Sequence, residues 1–295
     1  MGGGTWTTCA YNAYTTLTKG MDSVTYSNAR LSVQDNFKAR RLDGVLNPYN
    51  VMRECCDSEE HPNSFPVILA LDVTGSMGSA ANRVAQKLNE IMTSLYSDDE
   101  VKDVEFCIMA IGDLAYDDAP IQISQFESDI RIAEQLDKVY FEGGGGGNTS
   151  ESYTAAWYMG VKHCILDAWN RGRKGVIITM GDELPNPYLP KDELKDVVGD
   201  NLQGDIETAD LLPEVLEKYD VFHISVDDRN SSYSWNNSRG ELDKAWSELL
   251  GEDHYFVANL DNLTNIIVKI VKNCYNEEIV TTIPAASNNN EVIWA

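Results

Sequence analysis

Val67 to Leu71 form an unbroken apolar run that stops at Asp72 and the turn-forming stretch "VTGSMG". Beyond Gly78, the apolar residues Val84, Leu88, Ile91 and Leu95 recur on one helical face. A run with no polar alternation is the pattern of a strand covered on both faces, so this chain has to build a sheet with helices on either side. Strand followed by amphipathic helix is the first α/β unit.

Downstream segments repeat the theme. "VEFCIMAIGD" (104–113) reads as a second buried strand, and "APIQISQF" (119–126) alternates as an edge or antiparallel strand does. A short helix is expected near Ile130 to Leu136, followed by the glycine run Gly143 to Gly147 and a helix from about Glu151 to Trp169. "GVIITM" (175–180), "VFHISV" (221–226) and "HYFVAN" (254–259) read as further strands. "DLLPEVLEKY" and "DNLTNIIVKIVKNCY" supply helices, the second with Leu263, Ile266, Ile270 and Val271 on one face and Asp261 as N-cap. The expected fold class is α/β: a doubly wound, mostly parallel central sheet with helices on both faces, whose ligands bind outside the carboxyl ends of the strands.

This core spans residues 66–275. Residues 1–65 are polar, with little periodicity, and read as an extension wrapping the core through Trp6, Tyr11, Tyr14, Leu31, Phe37 and Leu46; partial disorder is left open. Residues 276–295 form a tail with two short β-prone pieces, suited to adding to a neighbour's sheet edge. Two long insertions follow strands at the presumed binding edge, 182–209 and 227–253. The second carries Trp235 and Trp246, expected on a partner-binding rim.

Charge narrows the function. With 47 acidic against 23 basic residues the formal net charge is −24, which argues against a grip on nucleic acid or an anionic membrane. Solvated acidity is the plain reading and a cation site the sharper one. The six cysteines contain no C-x-x-C pair, so neither zinc nor a disulfide framework is suggested, and a reducing compartment fits. No apolar run approaches the about 20 residues of a spanning helix, and the start lacks signal-peptide features. The expectation is cytoplasmic, with a place in a virion left open.

Asp72, Thr74 and Ser76 stand at two-residue intervals where the first strand ends. One carboxylate and two hydroxyls are hard oxygen donors of the kind magnesium prefers, although the same residues are ordinary in turns and N-caps. The segments "GGGGGNTSES" (143–152) and "ITMGDELP" (178–185) are expected to bring Asn148, Thr149, Ser150, Glu151 and Asp182 towards the same crevice.

"LDVTGSMG" resembles the first loop of a von Willebrand factor A (VWA) domain, whose metal-ion-dependent adhesion site carries D-x-S-x-S or D-x-T-x-S. By order of elements the resemblance covers roughly residues 66–275, and the polar head, the tail and "RECCDSEEHPNS" look similar to VWA proteins of bacteria and their phages. The resemblance implies a divalent cation, usually Mg2+, with Mn2+ or Ca2+ as alternatives. It also implies an open position filled by an Asp or Glu of a protein partner. Asp72, Thr74 and Ser76 match the motif. The second loop departs from the usual G-G-T, so Glu151 is taken as its ligand, with Asn148 and Thr149 in reserve and Asp113 as a further ligand or supporting acid. The third loop has Met180 where an Asp usually stands, and Asp182 comes two residues later.

Hydroxyl ligands leave a dication under-neutralised and attractive to one more carboxylate, a logic of binding rather than catalysis. At a Debye length of about 8 Å the chain's own acidity repels such a partner only at short range. Glu277 and Glu278 are candidates for an internal ligand or one supplied by a neighbouring copy, and a homo-oligomer or larger assembly stays open. The alternatives are a structural assembly component and, less well supported, a nucleotide- or metal-dependent enzyme. The glycine run lacks the G-K-[ST] ending of a phosphate loop, and no G-x-S-x-G elbow is present.

Overall fold

The computed structural model describes residues 4–96, 101–142, 150–227 and 238–282. At its centre is a sheet of six strands in the order β12-β11-β7-β2-β3-β4. These are β2 (Phe65–Asp72), β3 (Val104–Ile111), β4 (Ile121–Ile123), β7 (Gly175–Gly181), β11 (Tyr219–Val226) and β12 (Tyr255–Ala258). Neighbours pair in parallel except β4, which runs antiparallel to β3, as the alternation of its sequence predicts.

Every residue of β2 is buried because both sheet faces are covered. Val67, Leu69 and Leu71 enter one core with Val84, Leu88 and Ile91 of α4 (Gly78–Tyr96) and Leu263, Ile267 and Ile270 of α11 (Leu263–Thr282). Ile68 and Ala70 enter the other, with Ala155, Trp157 and Met159 of α6 (Thr154–Lys162) and Leu211 and Val215 of α9 (Thr208–Lys218). Chain order reverses at β2: β3 lies on one side and β7 on the other. The crevice above its carboxyl end is therefore the switch point at which such sheets bind ligands.

Residues 4–55 run from one face to the other. On the first face lie α1 (Thr8–Lys19), α2 (Ser23–Asn28) and α3 (Val33–Asn36), with α5 (Arg131–Leu136) nearby. The Thr7 hydroxyl caps α1 by accepting the Ala10 amide, and Gly20 ends the helix at φ 68°, where a side chain would be strained. Trp6 Nε1 donates to Asn89, and the buried Tyr11 hydroxyl donates to the Ala85 carbonyl, pinning α1 to α4. The chain then crosses the outer edge of β4, where the Ile123 amide donates to the Leu46 carbonyl. It arrives on the second face as β1 (Arg53–Cys55), paired with β6 (Cys164–Leu166). This segment, read as weakly periodic, owes its helices to capping and aromatic anchors rather than to a continuous apolar stripe.

Three further expectations are corrected. The helix expected over 151–169 is broken into β5 (Ser150–Glu151), α6, β6 and α7 (Asp167–Asn170). The break comes at His163, whose carbonyl accepts the Arg53 amide and whose Nδ1 meets the Val51 carbonyl, so strand pairing with β1 replaces the next turn. Residues 276–282, expected in a β-prone tail, continue α11 to Thr282. At the start of that helix Asn259, not Asp261, serves the loose amides: its Oδ1 accepts from Asp261 and Asn262.

The insertion after β7 holds β8 (Leu184–Pro185), β9 (Tyr188–Leu189), α8 (Lys191–Val197) and β10 (Ile206–Glu207), with β8 parallel to β5 and β9 antiparallel to β10. The described part of the insertion before β12 forms α10 (Arg239–Leu250), opened by a capping box between Ser238 and Glu241. No described helix is long and apolar enough to cross a membrane.

Candidate functional site

Asp72 closes β2 with its side chain almost wholly buried, at 1% exposure. Its Oδ1 accepts the Thr74 amide at 2.8 Å and the Thr74 hydroxyl at 2.5 Å, a tight turn that holds the carboxylate against its own loop. Thr74 is buried in a β conformation at the head of the short 3-10 turn Gly75–Met77, which leads into α4. Two residues on, the Ser76 hydroxyl donates to Asp182 Oδ1 at 3.0 Å, tying the loop after β2 to the loop after β7. The D-x-T-x-S spacing thus places one hydroxyl on each of two acids.

Glu151 joins them from β5. Its side chain is buried, and Oε2 has no hydrogen-bond partner among the described residues. Expected inside the first helical turn, Glu151 instead precedes α6, in the short parallel pairing with β8 that brings this segment beside the loop of Asp182.

A residue that sequence reasoning missed links all three loops. The hydroxyl of fully buried Tyr153 donates to Asp72 Oδ2 at 2.7 Å and accepts the Glu183 amide at 3.3 Å. Gly181 makes room for it, since a Cβ there would stand 1.9 Å from the Tyr153 oxygen. The available signal was "GD" after an apolar strand, a small residue where a buried group approaches the backbone.

The electrostatics are those of crowded acids. Burial, then repulsion from Asp182, raises Asp72 from 3.8 to about 7, against the opposing hydrogen bonds from Thr74 and Tyr153. Burial raises Asp182 to about 6, opposed by Ser76. Burial, with Asp72, Asp113, Asp117 and Glu183, raises Glu151 from 4.5 to about 10. Among the described residues none of Asp72, Glu151 and Asp182 is paired with a Lys, Arg or His. Buried carboxylates without a countercharge are costly and need neutralisation by protons or by a cation.

The donor set fits a hard divalent cation. It consists of carboxyl and hydroxyl oxygens, and among the described residues Glu151 Oε2 is an acceptor with nothing to accept. Among the described residues no group of three or more His, Cys, Asp and Glu side chains is arranged to hold a metal ion, so the acids alone do not make the site. A cation held here would need the hydroxyls of Thr74 and Ser76 as well.

Asp113 lies buried in the loop after β3, its Oδ1 accepting the Ala115 amide at 2.8 Å, and the Leu114 amide donates to Ser152 Oγ at 3.0 Å. That loop therefore borders the Glu151 segment and contributes to its potential. Asn148, Thr149 and Trp235 lie outside the described residues, as do the side chains of Glu277 and Glu278. Trp246, expected on the rim, is corrected to a core residue with 0% exposure. It stacks on His223 with ring centroids 3.6 Å apart, meets Tyr153 edge-on, and donates Nε1 to the Glu183 carbonyl. Burial holds His223 well below its ordinary pKa and therefore neutral in this stack.

No protein-family model matches the sequence, and no curated protein matches it. Solved structures do match. One is the pilus adhesin SpaC from Lactobacillus rhamnosus GG, at 12% identity and a TM-score of 0.51, with 78% of this chain and 31% of that chain covered. Another is the vWF domain of the type V pili tip protein Mfa5 from Porphyromonas gingivalis, at 12% identity and a TM-score of 0.46, covering 76% of this chain and 97% of that one. The fold is a doubly wound α/β sheet of the kind SpaC contains. At these identities the likeness is one of fold, and the matched region amounts to about a third of the SpaC chain. In this doubly wound fold the crowded acids lie at the switch point above β2, with Asp72 from the central strand, Glu151 from β5 and Asp182 from the loop after β7.

Proposed function

We propose that this chain is a protein-binding module whose contact with its partner depends on a divalent cation, Mg2+ or a similar hard ion, and that it is not an enzyme. The observation that carries the reading is the cluster of buried acids, Asp72, Glu151 and Asp182, with Glu151 Oε2 left without a partner among the described residues. Thr74, Ser76 and Glu151 would hold the ion, with Asp72 and Asp182 beside them as ligands or as acceptors that fix the hydroxyls. A bound dication supplies a Lewis-acidic centre to which an Asp or Glu carboxylate of a partner protein can bond.

The chain's own residues set the terms of that contact. Asp72 fixes the Thr74 hydroxyl and Asp182 the Ser76 hydroxyl, so both oxygens are oriented before a ligand arrives. Tyr153 keeps one Asp72 oxygen engaged. The matching adhesin and pilus-tip structures support a surface or assembly role of this kind.

Calorimetric titration of metal-stripped protein with Mg2+, Mn2+ and Ca2+ tests the reading, in wild type and in folded Asp72→Ala and Ser76→Ala forms. Binding in wild type that both variants lose is the expected result. Wild-type protein that takes up none of the three ions, or variants that bind as wild type does, would overturn it.

A further inference from the structure

Beside the carboxylate cluster lies a pocket of 190 Å³ lined by Asp113, Leu114, Ala115, Ser150, Asn186 and Tyr188, among others. We propose that it receives a basic side chain, Arg or Lys, from the same partner segment that brings a carboxylate to the neighbouring site. The recognised feature is then an acid with a base close by in the chain. The acidic half of this statement rests on the metal-dependent reading above; the basic half stands on the pocket.

Size comes first. Sites for cofactors and drug-sized molecules run from about 300 Å³ upwards, so this pocket accommodates one side chain rather than a nucleotide. Its walls are the next constraint. Leu114, Ala115, Pro187, Tyr188 and Pro190 present apolar surface, and Asp113 contributes a carboxylate. A lysine or arginine side chain matches that division, because its methylene stem can lie on apolar groups while its head meets an acid.

Charge separates this occupant from a leucine or a glutamate. Among the described residues no Lys or Arg lines the pocket, and Lys191, next in sequence to Pro190, is not part of it. Asp117 stands behind Asp113, its Oδ2 accepting the Asp113 amide at 2.7 Å, and the buried Glu151 follows Ser150. An acidic side chain entering here would meet the Asp113 carboxyl on the wall, with the acids Asp117 and Glu151 next to lining residues. A basic one offsets part of the repulsion that a chain of net charge −24 imposes on an acid-bearing partner.

Position completes the argument. The walls of the pocket are the β5 segment, which carries Glu151, and two stretches beside it: the loop after β3 and the stretch after β8. They are tied together by the bond from the Leu114 amide to Ser152 Oγ and by Asn186, whose Oδ1 accepts the Thr154 amide and whose Nδ2 donates to Thr154 Oγ1. Tyr188, 44% exposed, stands at the mouth. A pocket braced in this way is formed before its ligand arrives.

The test uses the full chain and defined probes. N-acetyl-arginine amide, N-acetyl-norleucine amide and N-acetyl-glutamate amide are titrated without metal while the amide resonances of Ala115 and Tyr188 are followed. The arginine probe is expected to shift both resonances and to bind about 5-fold more tightly than norleucine, the factor that about 1 kcal/mol of charge pairing gives. Ala115→Phe, at an exposed position, fills the pocket and should abolish the shifts in a folded protein. Asp113→Asn should remove the preference for arginine over norleucine. Equal binding of arginine and norleucine, tighter binding of glutamate, or no shift with any probe would overturn the proposal. Repeating the titration with Mg2+ and acetyl-Arg-Ala-Asp-amide separates the two readings. Arginine binding without metal uptake rejects the metal site alone, whereas metal uptake without an arginine preference rejects this pocket alone.

Discussion

Two buried polar clusters in this molecule are built on opposite plans. Under the N-terminal helices the Tyr26 hydroxyl donates to Asn36 Oδ1, Asn36 Nδ2 donates to Asn82 Oδ1, Asn82 Nδ2 donates to the Leu31 carbonyl, and Gln86 donates to the carbonyls of Tyr26 and Ala29. Every one of these groups is neutral, and each donor has an acceptor. At the carboxyl end of β2 the acids face one another, and one oxygen of Glu151 has no partner among the described residues. A closed neutral network fixes one arrangement of helices, whereas an open charged one sacrifices stability for the capacity to take up something else. The first cluster is closed, and the second leaves an acceptor unused among the described residues.

The comparison breaks most visibly if the closed cluster proves dispensable. Asn82→Ala leaves the Asn36 amide and the Leu31 carbonyl without their partner and should destabilise the fold by about 3 kcal/mol in urea unfolding, with metal uptake unchanged in the folded fraction. Next in size, Mg2+ at about 100 times its dissociation constant should stabilise wild type by about 2.7 kcal/mol and leave Asp72→Ala unmoved, read as a shift in denaturation midpoint.

Glu151→Gln should stabilise the metal-free protein at pH 7 by about 2 kcal/mol, because the folded carboxyl is held protonated while the unfolded one ionises. In wild type the raised Asp72 and Asp182 carboxyls mean that the folded state binds more protons than the unfolded one. Metal-free stability should therefore fall as pH climbs from about 4 to 7. Glu151, raised to about 10, extends the decline beyond 7, and Glu151→Gln should flatten it. Denaturation midpoints across that range, with metal chelated, are the measurement. Tyr153→Phe makes the smallest change, about 1 kcal/mol of stability from one lost hydrogen bond, together with weaker metal uptake. A Tyr153→Phe protein with unaltered uptake would confine that residue to packing.

Much of the scaffold was legible because burial on both faces writes itself as continuous apolar sequence. Val67 to Leu71 and the strands after it could be read directly, and the antiparallel edge strand declared itself by alternation at Ile121–Ile123. Asp72, Thr74, Ser76, Glu151 and Asp182 do reach one crevice, because each lies close to the carboxyl end of β2 or in the loops beside it. Long-range pairings were not legible. Nothing local says that Cys164–Leu166 will leave the helix to pair with Arg53–Cys55, or that Trp246 will turn inward onto His223. Tyr153 was missed for the same reason: its role depends on a space left by Gly181, 28 positions away in the sequence numbering.

The crossing of residues 45–53 over β4 has a consequence for how copies of the molecule can join. The Leu46 carbonyl takes the outward Ile123 amide, and Arg53 bonds the carbonyls of Val45 and Ile123, so that margin of the sheet is already claimed. At the opposite margin, among the described residues, no strand pairs with the outer side of the four-residue β12. Among the described residues, the outer side of β12 is therefore the unclaimed margin of the six-stranded sheet. As far as the described residues go, extending the central sheet from copy to copy would have to run through β12, because a ribbon growing through both margins would be blocked at β4.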